Sequence, residues 1–277
     1  MTPTATETNG DPAILVGTSG WSYAHWRGAF YPRGLGSGAW LEHYAARLQT
    51  VELNATFYRL PSTQAVARWR QVAPPGFTFA VKMSRLVTHA RRLLRVEDLV
   101  AAFVERVSPL GHALGPCVVQ LPPSFAPDAA LLDAFLKNLE RALAACEHGA
   151  RRAPAEVAVE FRDNRWFTEE VYGVLRERHA SFCISDLAGR EWPHVVTAPL
   201  VYVRLHGPSR AYAGSYSDEA LERWGSLCRG WRQSGHTVRV YFDNDEAGYA
   251  AANAQHLLSL IATGDLATDS RTRQANS

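Results

Sequence analysis

The sequence predicts an α/β fold: a single-domain TIM (β/α)8 barrel. Three observations carry this reading. Strand-like apolar runs fall near residues 14–18, 50–54, 77–82, 117–121, 156–161, 181–186, 200–206 and 237–243, with helical patterns between them. Strands that alternate with helices imply a parallel sheet. Eight such runs in 277 residues, without a linker-like break, favour closure into a barrel over an open sheet. Successive runs also end in polar or charged residues on one strand face, which a parallel sheet covered by helices does not need.

The elements follow in order. Residues 1–12 are polar and are expected to form a disordered tail before a barrel domain over 13–263. In Thr50-Val51-Glu52-Leu53-Asn54, side-chain alternation puts Val51 and Leu53 on one face and Glu52 and Asn54 on the other. Ser62 after Pro61 starts a helix through Trp69. Phe77, Phe79 and Val81 then oppose Lys82, and the Cys117–Leu121 run carries Gln120 at its end. Asp128 opens a helix whose apolar stripe is Leu131, Leu132, Phe135, Leu136, Leu139 and Leu143. Val157, Val159 and Phe161 oppose Glu160 and Arg162; Val201, Val203 and Leu205 oppose Arg204 and His206. Thr168 and Ser217 are N-caps followed by acids in the first turn. The last helix is expected from about Asp245 to Ile261, leaving 264–277 as a second disordered tail.

Composition sets further bounds. The chain is 47% hydrophobic, enough for a large core, and its formal charge of +2 selects no partner class. No apolar run approaches the roughly 20 residues that span a bilayer. The N-terminal residues lack an apolar signal core, so a cytoplasmic, membrane-free protein is expected. Cys117, Cys146, Cys183 and Cys228 show neither metal-type nor disulfide spacing. Of 29 lysines and arginines, two are lysine: Lys82 and Lys137. Against that arginine background, a lysine at an inward strand end points to a chemical requirement, because an ammonium responds to burial and a guanidinium does not.

Several blocks resemble one family. Gly17-Thr18-Ser19-Gly20-Trp21-Ser22-Tyr23, with Trp26, Gly28 and Phe30-Tyr31-Pro32, is similar to the opening motif of the YecE-like family, domain of unknown function 72. Val51 to Pro61, Gln120 to Phe125, Glu160-Phe161-Arg162 with Trp166, Tyr202 to Gly207, and Tyr241 to Asp245 resemble its later blocks. Together they run from residue 17 to about 260. The resemblance implies a TIM-type barrel and leaves the chemistry to the residues.

On a barrel, the strand ends and their following loops share the carboxyl-terminal face, where active sites lie. The candidate catalytic residues are Glu52, Lys82, Glu160 and His206. The candidate substrate-binding residues are Trp21, Tyr23, Trp26, Asn54, Tyr58, Gln120, Arg162, Asp186, Arg204 and Asn244. Lys82 is expected to contact Glu52, Gln120 or Glu160, as a base or a Schiff-base nucleophile. At least one of Trp21 and Trp26 is expected to wall the pocket. No metal ligand or cofactor is assigned, although Glu52, Glu160, Asp186 and His206 would suffice for a single divalent cation. Arginines mixed with aromatics on the surrounding loops suit phosphates and stacked bases. The leading expectation is an enzyme, a hydrolase or lyase, acting on a polar anionic substrate, phosphorylated or nucleic acid. The alternatives are nucleic-acid binding without catalysis and a glycosidase-like hydrolase using Glu52 and Glu160.

Overall fold

The computed structural model describes residues 12–146 and 156–275. Eight strands form the barrel: β1 (Ile14–Ser19), β2 (Thr50–Leu53), β3 (Thr78–Lys82), β4 (Leu114–Leu121), β5 (Val157–Phe161), β6 (Ala180–Leu187), β7 (Leu200–Leu205) and β8 (Thr237–Phe242). Each pairs in parallel with the next, and β8 returns to β1, so the sheet has no open edge. The expected runs coincide with these strands, except that β4 begins earlier, at Leu114.

The helices are α1 (Trp40–Ala45), the short turn α2 (Ala55–Tyr58), α3 (Thr63–Val72), α4 (Glu97–Val107), α5 (Ala129–Ala145), α6 (Glu169–Glu177), α7 (Asp218–Gln233) and α8 (Tyr249–Ala275). The N-caps read from sequence are formed: Ser62, Asp128, Thr168 and Ser217 each accept a hydrogen bond from the backbone N–H three residues on. Between β6 and β7 no helix intervenes; a two-residue strand, Arg190–Glu191, folds back antiparallel on the end of β6. Gly189, Pro193 and Pro199 make that crossover a poor helix.

Two boundaries differ from the sequence reading. A 3-10 turn at Glu246–Gly248 replaces the expected first turn of the last helix. At the other end α8 continues to Ala275, through most of the segment expected as a tail. That segment contains no proline, and a helix already anchored at its start propagates more readily than it nucleates. Residues 1–11 of the expected N-terminal tail lie outside the described residues. No helix is long and apolar enough to cross a membrane among the described residues.

Strand alternation divides the core. Val51, Leu53, Phe79, Val81, Val159, Phe161, Val203 and Leu205 pack outward with the helices. Ala80, Val118, Ala158, Cys183, Leu200, Tyr202 and Tyr241 fill a separate cluster inside the barrel. The lower interior is polar as well: the Arg239 guanidinium donates to Thr78 Oγ1 at 2.6 Å, and the Tyr241 and Thr50 hydroxyls are 2.8 Å apart.

The β1–β2 seam carries a side-chain clasp. The Tyr44 hydroxyl of α1 accepts from the Thr18 N–H at 2.9 Å and donates to the Thr50 carbonyl at 2.9 Å. Gly17 makes room for it: a Cβ there would stand 1.9 Å from Thr50 O and 3.1 Å from the Tyr44 hydroxyl. Gly17→Ala is therefore expected to destabilise the fold by at least ~3 kcal/mol by forcing the two strands apart. Urea unfolding of the variant checks this; an unchanged midpoint would show that the seam relaxes freely.

Candidate active site

The inward positions at the carboxyl end of the barrel are Ser19, Glu52, Lys82, Gln120, Glu160, Ser185, Arg204 and, just past β8, Asp243. Ladder register sets several of them side by side: Ser19 beside Glu52, Gln120 beside Glu160, Ser185 beside Arg204. Arg162 and His206 continue the same faces one step beyond the strands.

Arg204 is the centre of this layer and is fully buried. One terminal nitrogen, Nη1, donates to Glu160 Oε2 at 2.5 Å. The other, Nη2, donates to Glu52 Oε1 at 2.6 Å and to Asp243 Oδ2 at 3.1 Å. Each carboxylate has further donors. Glu52 accepts from the Tyr202 hydroxyl at 2.7 Å and from Ser19 Oγ at 3.0 Å. Glu160 accepts from Ser185 Oγ at 3.2 Å and lies 3.0 Å from Arg162 Nη2. His206 is held between two acids, Nε2 at 2.8 Å from Glu160 and Nδ1 at 3.0 Å from Asp243. A neutral imidazole can donate to only one of them.

The electrostatics follow from this geometry. Burial acts to raise the Glu160 carboxyl, but Arg162, Arg204 and His206 together hold it well below the usual range. Burial likewise opposes ionisation of Asp243, and the His206 hydrogen bond and Arg204 keep it lowered. Burial opposes the Arg204 charge, yet Glu160, Glu52 and Asp243 raise its pKa further above the ordinary value. These groups form a mutually paired ionic floor.

Lys82 stands apart from that floor. Among the described residues its ammonium has no hydrogen bond and no ion pair, so the expected contact with Glu52, Gln120 or Glu160 is absent. The reason is the supply of acceptors: Arg204 and its neighbours already occupy the carboxylates. Lys82 instead places Nζ over the Phe57 ring, 4.5 Å from its centroid, and is 8% exposed. Burial, chiefly, and the nearby Arg204 lower its pKa to about 8, against partial opposition from Glu52, Glu160 and Asp243. The turn beneath it is fixed by Thr56, whose hydroxyl lies 2.7 Å from the Lys82 carbonyl and 2.6 Å from that of Leu53. His89, on a π-helical turn at Leu86–Ala90, packs against the same Phe57 ring at 5.0 Å. Burial and the neighbouring Lys82, Arg85 and Arg162 lower its pKa.

The remaining sequence candidates divide. Gln120 is half-buried beside Glu160, and its side chain makes no hydrogen bond among the described residues. Asn54 opens α2, and its Oδ1 is buried without a partner. Tyr23 donates to the Ser19 carbonyl at 2.6 Å; burial, with Asp245, Asp243 and Glu52, raises its pKa. Tyr58 is an exposed residue next to Phe57. Four expectations need correction. Trp26 is fully buried in the outer core, with its indole N–H on Asp245 at 2.7 Å. Trp21 packs on Trp69 and on the outward ring of Phe79, so neither tryptophan walls the ionic centre. Asp186 follows the inward Ser185 and faces outward, beside Tyr216, where burial raises its pKa. It cannot share a cation with Glu52 and Glu160. Asn244 follows the inward Asp243 and bonds Gly214 and Asn253 instead, both at 2.8 Å, tying the β7 loop to α8. Among the described residues no group of three His, Cys, Asp or Glu side chains is arranged to hold a metal.

Sequence reasoning missed Asp243, Tyr202, Ser19, Ser185 and His89. Asp243 obeys the same strand-end rule as Glu52 and was available to it. Tyr202 reads as one more apolar strand residue, and only the Glu52 contact gives it away.

Two substitutions separate floor from mouth. Arg204→Met strands three acids and is expected to cost about 3–5 kcal/mol. Lys82→Met strands none and is expected to cost under ~1 kcal/mol at pH 7. A base whose folded pKa is lowered penalises the folded state while both states are protonated. That penalty is relieved as pH rises from about 8 towards the ordinary value of 10.5. Wild-type stability should therefore gain a contribution of order 2–3 kcal/mol across that window, and Lys82→Met should lose it. Denaturant melts at pH 7, 8.5 and 10 test both variants. Equal losses for the two would contradict the division.

Comparison with known proteins agrees with this architecture. The family model described as protein of unknown function DUF72 matches residues 15–276. The UPF0759 protein YecE of Escherichia coli (strain K12) is 36% identical over 114 residues, 41% of this chain and 39% of that protein, so that match spans about two fifths of the relative's length. The UPF0759 protein YunF of Bacillus subtilis (strain 168) is 26% identical over 287 residues, 90% of this chain and 94% of that one. A solved DUF72 family protein from Thermotoga maritima matches with a TM-score of 0.76 at 28% identity, over 90% of this chain and 99% of that chain. With its barrel matched by that structure and its residues by the family model almost from end to end, this chain belongs to the DUF72 family.

Proposed function

We propose that the mouth of the barrel is the active site of an enzyme acting on a small, polar, anionic substrate, with Lys82 as its reactive amine. One observation carries the reading: among the described residues, a buried lysine without hydrogen bond or ion pair stands over carboxylates that already have ion-pair partners. A cation in that position is available to a ligand, and its lowered pKa, about 8, suits proton transfer near neutral pH. Arg162 adds fixed positive charge and keeps an unpartnered Nε, and Gln120 sets its amide beside Glu160. The glycosidase-like reading has less support. It needs one carboxyl able to donate a proton, whereas Glu52 and Glu160 share the Arg204 guanidinium and Glu160 is held ionised.

Nucleic-acid binding keeps one observation in its favour. Arg85, Arg91, Arg92 and Arg95 are exposed on the β3 loop, near an exposed Leu94 and on the same barrel face as Tyr58. Strand binding of that kind would weaken steeply with salt and fall in an Arg91→Glu/Arg92→Glu variant, with no effect of Lys82→Met.

Lysine scarcity makes the test direct. Acetic anhydride labelling read by mass spectrometry follows Lys82, with Lys137, exposed on α5, as internal reference. Lys82 labelling should titrate with a midpoint near 8, and inorganic phosphate or citrate should slow it. A midpoint no lower than that of an ordinary lysine, with no protection by either anion, would overturn the reading.

A further inference from the structure

Resting on that reading, the site's chemistry can be carried one step further, to the class of substrate. Interior charge pairing gives no reason for a lysine at position 82, because Arg204 already satisfies Glu52, Glu160 and Asp243. Fixed positive charge gives no reason either, since this chain supplies it almost everywhere with arginine. What an amine does and a guanidinium does not is attack a carbonyl carbon. The surroundings fit that task. The Phe57 face, 4.5 Å from Nζ, would stabilise an iminium as it does an ammonium. Arg162 is paired with Glu160 through Nη2, and its buried Nε has no partner among the described residues, which leaves that N–H to a substrate carboxylate. His206, between Glu160 and Asp243, brings an imidazole to the same end of the barrel.

We propose that Lys82 forms an imine with a small 2-oxo acid, its carbonyl carbon at Nζ and its carboxylate on Arg162. In the first step the Nζ lone pair forms the C–N bond and the carbonyl π electrons move to oxygen. Transfer of a proton from nitrogen to that oxygen gives the carbinolamine. Protonation of its hydroxyl breaks the C–O bond, water leaves, and the nitrogen lone pair completes the C=N bond. Nitrogen gives up one proton and an acid supplies the second, oxygen departs as water and the protonated imine keeps its remaining N–H, so no oxidant or reductant is required. The protonated imine then acts as an electron sink for breaking an adjacent C–H, C–C or C–O bond, the chemistry of a lyase. A lysine titrating near 8 carries, at pH 7, a free-amine fraction on the order of a hundredfold above that of an ordinary lysine, which favours the first step.

The experiment is reductive trapping on the full chain. Pyruvate and glyoxylate are each incubated with the protein at pH 7, reduced with sodium cyanoborohydride, and located by peptide mass spectrometry. Lys82 should be modified at least about tenfold faster than Lys137. Arg162→Gln should slow trapping of both acids while sparing that of formaldehyde, which has no carboxylate. Lys82→Arg should abolish the adduct with an unchanged circular dichroism spectrum. Equal modification of the two lysines, or no adduct with either acid, overturns the imine. If anhydride labelling still titrates near 8 in that case, the amine remains an acid–base group; an unshifted labelling midpoint overturns both.

Discussion

A guanidinium sealed inside a barrel sets the terms for everything around it. Arg204 cannot reach water, so its charge must be met within the fold, and three acids from three different strand ends meet it. Those acids then impose demands of their own. Ser19, Tyr202, Ser185, Arg162 and His206 answer them, and with these the layer draws on six of the eight strands or the residues just beyond them. The arrangement is self-consistent only when closed: a half-satisfied ionic network in low dielectric is worse than an apolar core. Closure of the barrel and closure of the network are thus two views of one constraint.

The same constraint explains why the mouth differs from the floor. Arg204 pairs with all three interior acids and Arg162 adds a second pair to Glu160, which leaves one further cation above them without an ion pair among the described residues. Lys82 is that cation, and the fold supports it by position, with Thr56 pinning the turn that carries Phe57 and a ring face in place of a carboxylate. Rigidity below and availability above is a physical division of labour suited to a reactive group, which needs an ordered surrounding shell.

How much of this was legible in the sequence depended on alternation. Where a strand showed a clean period of two, as around Glu52, Glu160 and Arg204, the inward residues followed directly, and the closed barrel with them. Where the pattern blurred, parity slipped by one. Ala180–Leu187 mixes small and apolar residues on both faces, so Asp186 looked equivalent to its inward neighbour Ser185. Asn244 failed similarly, one residue beyond Asp243. The tryptophans failed for another reason: Trp21 and Trp26 lie in a loop, where no periodicity assigns a face, and their area is better buried against Trp69, Phe79 and Tyr31 than left at a wet mouth. Lys82 was found for its type and position, but its partner was misjudged, because pairing depends on how many acceptors remain after stronger competitors have taken theirs.

The Tyr44 clasp has a consequence for the order in which the barrel can be assembled. Its hydroxyl joins Thr18 and Thr50, partners 26 and 6 residues away, so the first seam closes through local contacts within one βαβ unit. The opposite seam joins β1 to β8, with Ile14 beside Val238, and must bring together the two ends of the barrel. Loop-closure entropy makes the second the more demanding event, and topology rewards the first with speed. The chain thus begins its barrel with a fastened hinge and ends it with an unaided search.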